Sequence, residues 1–435
     1  MKCVDLLEHR RVANDGPSWF NGLMPAEDEK GSRMYTQQLL TLPLNDELFI
    51  GQFLRTLAAT YNGCADIGEC FATAAGTADH DFDLWHRAWT TTAPRVREAA
   101  QASPDAGHPV SARSGFLRAG EYYRQSAWFL RENLDDARVL QAADDLRSCF
   151  RQAIRLFDTP VEAVEIPYDG TTLGGYLFRP AANGSRPTLV MPGGYDGFVE
   201  ETYQSGAKAA VERGYNCLAF DGLGQGHVLL RQRLFMRPDF EAVIGPVLDW
   251  LVTRPEVRTD RVILMGRSFG GYLAPRAACG ERRLAALVCD PGQISLAAAL
   301  RQRLPPAVVT MLEKGDAAGV NGFFTEPMAR DPMTRFFFVS RMRVHGVETV
   351  YDFLREALRY DLSDRVETIT CPTLVCDNPT DTVSSRGNTL YEALRCEKTL
   401  IIFRPEEGAG GHCEAGAAAL FEQRVFDWID QIVSR

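Results

Sequence analysis

With 435 residues, the chain is longer than one minimal domain needs, and allows two or three domains or one large α/β domain carrying an extra layer. Apolar residues make up 45% and charged residues 24%, an ordinary globular composition that excludes a disordered chain. Net charge is −10 with no long basic block, which argues against nucleic acid as a partner. No run approaches the roughly 18 uncharged apolar residues of a membrane span. The N-terminal MKCVDLLEHRR carries charges where a secretory signal needs its apolar stretch, so a cytoplasmic protein is expected. The 11 cysteines are an odd number without C-x-x-C spacing, several inside apolar runs, and read as buried reduced thiols rather than a zinc site.

In chain order, residues 1–159 hold few strand-like runs and many helical ones. In SARSGFLRAGEYYRQSAWFLRENLDDARVL (111–140), Phe116, Leu117, Tyr123, Ala127, Trp128 and Leu130 recur at broadly helical intervals, and 134–154 continue in the same style. This region predicts an N-terminal helical domain of five to seven helices. From residue 160 the pattern changes. VEAVEI (161–166), LGGYLF (173–178), TLVM (188–191), NCLAF (216–220), RVILM (261–265), AALVC (285–289), TLVC (373–376) and TLIIF (399–403) are eight strand candidates alternating with helical stretches. The later ones are continuously apolar, as strands covered on both faces are, so residues 160–435 predict a doubly wound, mostly parallel sheet. The interval from about 293 to 368 is too long for one crossover and reads as a helical insertion capping the sheet.

The chemistry concentrates at a few positions. After RVILM comes Gly266-Arg267-Ser268-Phe269-Gly270-Gly271 and then a helical stretch, a G-x-S-x-G turn in the strand–turn–helix context it requires. The turn lifts the Ser268 hydroxyl above the sheet and aims a helix N-terminus at any oxyanion formed there. A serine hydroxyl is a weak nucleophile and needs a base held by an acid. Asp377 and Asp381 both follow the strand TLVC, and Asp381, in the loop beyond the strand tip, is the better acid. His412, in the loop EEGAGGHCE after the last strand, lies 31 residues later and is the sole histidine downstream of that acid, which makes it the base. The second oxyanion donor falls in Pro192-Gly193-Gly194-Tyr195, so the hole is assigned to the N–H of Phe269 with that of Gly194 or Tyr195. Tyr195, His227 and Asp290 are candidate substrate-binding residues. His345 is a further histidine within reach of substrate, whereas His9, His80, His86 and His108 read as surface or packing residues. Gly222-Leu223-Gly224-Gln225-Gly226 lacks dinucleotide-loop spacing and reads as a tight strand-to-helix turn.

Taken together, SARSGFLRAGEYYRQSAWFL, PGGYDGFVEE, AFDGLGQG, GRSFGGYLAPRAA and EGAGGHCEAG resemble a branch of the α/β-hydrolase superfamily, from about residue 80 to the C-terminus. That branch holds the 2,6-dihydroxypseudooxynicotine hydrolases and the polyketide-shortening hydrolases of naphthopyrone and anthraquinone pathways. The resemblance implies an eight-stranded α/β-hydrolase fold with Ser268, Asp381 and His412 as triad. It further implies hydrolysis of a carbon–carbon bond in a 1,3-dicarbonyl compound. Some members use an additional acidic residue near the leaving group, for which Asp290, Glu200 and Glu201 are the candidates here. The expectation is thus a cofactor-free serine hydrolase, metal-free, acting on a small aromatic or β-dicarbonyl molecule, with a homodimer as its assembly. The alternatives are a carboxylesterase or peptidase-like hydrolase, or the same scaffold used for binding, cyclisation or epimerisation.

Overall fold

The computed structural model describes residues 41–383 and 387–434; Cys3, His9 and the charged N-terminal stretch lie outside them. Its eight strands coincide with the eight apolar runs: β1 Val161–Tyr168, β2 Thr171–Phe178, β3 Arg186–Pro192, β4 Asn216–Phe220, β5 Val257–Arg267, β6 Leu284–Asp290, β7 Thr373–Asp377 and β8 Lys398–Ile402. They form one sheet in the order β1-β2-β4-β3-β5-β6-β7-β8. β1 pairs antiparallel with β2 and β2 with β4, and every later neighbour is parallel. This is the α/β-hydrolase fold. β5, which carries Ser268 at its end, lies between β3 and β6. Its residues Val262–Met265 are fully buried, and their apolar side chains pack under helices on both faces.

Five α-helices precede the sheet among the described residues: Glu47–Ala58, Ile67–Ala74, Phe82–Asp105, Pro109–Ser126 and Ala137–Ile154. Asp46, Asp66 and Asp136 cap three of them through side-chain acceptors for first-turn N–H groups. The helices Phe82–Asp105 and Pro109–Ser126 approach closely because Gly115 faces Ala100, where a Cβ would stand 2.7 Å from the alanine methyl. Between β6 and β7 the chain forms five helices, Leu296–Arg303, Pro306–Lys314, Ala317–Arg330, Pro332–His345 and Val350–Ala357. Val308, Val320, Phe324, Phe338, Phe353 and Leu354 give this insertion a core of its own. Phe336 of the insertion meets Trp128 and Phe129 at ring separations of 5.2 and 5.5 Å, joining it to the N-terminal helices. Pro43–Arg435 pack as one compact unit. No helix among the described residues is long and apolar enough to cross a membrane. The ten described cysteines are free thiols, and all but Cys396 and Cys413 are buried.

Candidate active site

Ser268 sits between the end of β5 and the helix Gly270–Ala278, with φ of 57°, a left-handed conformation unfavourable for a residue with a Cβ. Its surroundings hold it there. The Ser268 N–H donates to the Asp290 carbonyl (2.7 Å), and its own carbonyl accepts from Gly271 N–H (2.9 Å) and the Gln293 amide (2.7 Å). The flanking glycines are required by space: a Cβ on Gly266 would stand 1.9 Å from the Gly270 carbonyl oxygen, and one on Gly271 1.9 Å from that of Pro291. Phe269 precedes the first turn of the helix, so its N–H belongs to the unsatisfied donors at that terminus.

The Ser268 hydroxyl lies 2.9 Å from His412 Nε2, and His412 Nδ1 lies 2.8 Å from Asp381 Oδ2. The Asp381 carboxylate is fully buried, and its Oδ1 accepts the Val383 N–H at 2.8 Å. Burial works against the imidazolium of His412, but Cys413 and the Asp381 carboxylate outweigh it and hold the His412 pKa well above the ordinary histidine value. The histidine loop is tied to the elbow by Arg267, the residue immediately before Ser268. Its guanidinium donates to the Cys413 carbonyl (2.6 Å) and to the buried Asp290 carboxylate (2.7 Å), and lies over the Phe421 ring at 3.9 Å. Glu414 lies beside this cluster, its carboxyl pushed well up by burial and by the Asp290 charge.

The loop after β3 completes the site. A Cβ on Gly194 would stand 3.2 Å from Ser268 Cβ and 3.6 Å from its hydroxyl, so the loop backbone runs directly against the nucleophile elbow. From Tyr195 onward the loop borders a cleft of about 530 Å³ lined by Trp128, Leu134, Phe198, Leu229, Leu230 and Val344, with Arg131 and Asp196 at its polar edge. N-terminal helices, hydrolase loops and capping insertion all contribute walls. The Tyr195 hydroxyl is buried there without a hydrogen-bond partner. Asp196 accepts from the Trp128 indole (3.0 Å), Arg55 (3.3 Å) and Arg131 (3.5 Å). Burial opposes its charge, but Arg55 and Arg131 hold its carboxyl well below the usual carboxylate range.

The structure thus brings together Ser268, Asp381, His412, Phe269, Gly194 and Tyr195. The other two candidates it places elsewhere. Asp290 is fully buried behind the elbow, its side chain taken up by Arg267 and its carbonyl by the Ser268 N–H. His227 is buried with its Nε2 3.2 Å from both Glu200 oxygens, and lines a second cavity of about 520 Å³ with Tyr176, Arg147 and Arg151. The turn Asp221–Gly226 leads into this residue: Asp221 Oδ2 accepts the His227 backbone N–H at 2.8 Å, and the ring lies against Phe198 with 5.1 Å between centroids. Glu201 pairs with Arg55 at 2.8 Å. Asp377, the alternative acid, accepts the Gly387 N–H at 3.0 Å, on the helix Gly387–Ala393. His345 packs against Tyr195 at 5.7 Å between rings, and burial lowers its pKa to about 3.

Sequence reasoning passed over Asp196, Arg267 and Gln225. Asp196 directly follows Tyr195 in a stretch already singled out, and an acidic residue in the candidate oxyanion loop was a readable signal. Arg267 and Gln225 carry no such mark, because each acts on segments remote in sequence.

Comparison with known proteins agrees with this architecture. A family model described as "Alpha/beta hydrolase family" matches residues 189–423, and one described as "Esterase FrsA-like" matches residues 75–300. The chain belongs to the α/β-hydrolase family and is an enzyme of the hydrolase class. Among its relatives is Hydrolase LUC6 of Fusarium sp, 35% identical over 87% of this chain and 95% of that protein. Another is 20-hydroxy-prefusarin hydrolase FUS2 of Gibberella moniliformis, 33% identical over 88% of this chain and 96% of that protein. The crystal structure of 2,6-dihydroxy-pseudo-oxynicotine hydrolase superposes with a TM-score of 0.69 at 20% identity, covering 87% of this chain and 95% of that one, and shares the fold.

Proposed function

We propose that the chain is a serine hydrolase cleaving a carbon–carbon bond of a β-dicarbonyl or aromatic polyketide-type substrate, with Ser268, His412 and Asp381 as triad. The observation that carries the reading is the hydrogen-bonded chain from Ser268 Oγ through His412 to the buried Asp381, at 2.9 and 2.8 Å. In this reading Ser268 Oγ attacks one carbonyl as His412 Nε2 takes its proton. The oxyanion is held by the N–H of Phe269 and that of Gly194 or Tyr195. The carbon–carbon bond then breaks, its electron pair passing into an enolate of the second carbonyl, and His412 returns its proton to that fragment. Water, deprotonated by His412, cleaves the acyl-serine to a carboxylic acid. The unpartnered Tyr195 hydroxyl in the cleft supports a substrate with a second carbonyl, since it can donate to that oxygen as it becomes an enolate. A relative named for hydrolysing 20-hydroxy-prefusarin favours an extended natural-product substrate over a peptide.

The N-terminal helices (1–159) and the 293–368 insertion act as cover for the hydrolase domain (160–435) in this account, a view supported by Trp128 and Val344 lining one cleft. The reading needs no cofactor, places the enzyme in the cytoplasm and makes it a homodimer. Sedimentation tests the last. The match to an esterase model supports a second reading, carboxylester hydrolysis by the same machinery. Incubation with benzoylacetone decides between them. Release of acetophenone with acetate, or benzoate with acetone, supports carbon–carbon cleavage, and an intact diketone beside rapid hydrolysis of p-nitrophenyl butyrate supports the esterase.

A further inference from the structure

The loop that runs against Ser268 is held from behind by one side chain. Gln225 is fully buried, in the turn that follows β4. Its amide nitrogen donates to the carbonyls of Gly193 (2.6 Å) and Gly194 (2.9 Å), and its amide oxygen accepts the Gly222 N–H (2.8 Å). All three polar functions of the amide are therefore engaged. Space is made by glycines: a Cβ on Gly193 or Gly222 would stand 3.2 or 3.0 Å from the Gln225 amide oxygen.

The consequence follows from peptide geometry. In a trans peptide the C=O and the next N–H point in opposite directions, and among the described residues the cis bond is Asp290–Pro291, away from this loop. Fixing the Gly193 carbonyl on Gln225 turns the Gly194 N–H away from it, and fixing the Gly194 carbonyl does the same to the Tyr195 N–H. Gly193 faces Gln225 and Gly194 faces Ser268, so the two side chains flank the loop from opposite sides. The far end of the same segment is anchored by Glu200, which accepts from Tyr176 and contacts His227, each at 3.2 Å.

We infer that Gln225 is the positioning residue of the oxyanion hole, its single amide orienting both candidate backbone donors, Gly194 N–H and Tyr195 N–H. It touches no substrate. This rests on the reading of Ser268 as nucleophile. It also gives a reason for glutamine rather than glutamate at this position: a carboxylate has no proton to give to two carbonyls, and would repel both.

The test uses the full chain, labelling with a fluorophosphonate probe and hydrolysis of p-nitrophenyl butyrate in Gln225→Glu and Gln225→Met. The methionine variant removes the donors without adding buried charge, and so covers the case in which Gln225→Glu does not fold. The inference expects kcat and the maximal labelling rate to fall by about 100-fold, as when an oxyanion donor is removed, with KM and the probe's binding constant within about threefold. A raised KM with unchanged kcat, unimpaired labelling, or failure of both variants to fold would each overturn it, the last by showing a merely structural role. Ser268→Ala, run alongside, separates the two readings. If that variant still labels, the nucleophile reading fails whatever Gln225 does; if it is silent while the Gln225 variants react normally, only the present inference fails.

Discussion

Replacing Asp381 by asparagine is expected to cost about 10³- to 10⁴-fold in kcat/KM, roughly 4 to 5.5 kcal/mol of transition-state stabilisation. The reason lies in how both oxygens are used. Oδ2 faces His412 Nδ1 at 2.8 Å, and Oδ1 accepts the Val383 N–H at 2.8 Å. An asparagine has one oxygen for these two places. If that oxygen faces His412, its NH₂ meets the Val383 N–H donor to donor. If it keeps the Val383 bond, the NH₂ faces Nδ1 and selects the tautomer protonated at Nε2, which cannot accept the Ser268 proton. The second arrangement keeps both of these bonds and is catalytically idle. Asp377→Asn preserves an oxygen for the Gly387 N–H, and its activity should stay within about threefold of wild type. The assay is kcat/KM on p-nitrophenyl butyrate with purified variants, and labelling rate by fluorophosphonate as an independent readout. An Asp381→Asn enzyme within tenfold of wild type, or a larger loss in Asp377→Asn, would refute the argument.

The remaining expectations follow from the same geometry. Because its neighbours hold His412 above the ordinary histidine pKa, the base is protonated and idle as pH falls through that raised value, so the acidic limb of kcat/KM should lie above pH ~6.5; a limb below that in a pH–rate profile would contradict the shift. Arg267→Met should lower stability by about 3 to 5 kcal/mol, because it leaves the buried Asp290 carboxylate uncompensated and frees the histidine loop; denaturant melts read this directly. Residues 160–435 expressed alone should be poorly soluble and inactive even on a small activated ester, since truncation removes Trp128 and Phe129 from Phe336 and Arg55 from Asp196. A soluble, fully active fragment would show that the helical region neither covers nor shapes the site.

The sequence was most legible where chemistry and local structure coincide. The central strands read out as apolar runs because both faces of the sheet are covered there, and β5 runs beyond its expected 261–265 at both ends, through buried Val257 and exposed 258–260 before it and Gly266 and Arg267 after it. Ser268 and His412 were readable because a strained elbow and a glycine-rich loop each need particular residues within a few positions. Asp290 at the end of β6 and His227 seven residues beyond β4 were candidates by their place along the chain, which does not say which way a side chain turns. Asp290 turns inward to Arg267 and His227 to Glu200. Gln225 and Arg267 escaped notice because their partners in the loop after β3, in β6 and in the histidine loop lie 23 to 146 residues away, and no local pattern encodes such a bond.

The most direct measurement of the central claim is peptide mapping by mass spectrometry after fluorophosphonate labelling of the wild-type enzyme. The account predicts a single phosphonyl adduct on Ser268, absent from Ser268→Ala, whose fold persists while turnover drops about 10⁴-fold or more. An adduct on another residue, or an unlabelled Ser268 in an enzyme that still turns over, would contradict it.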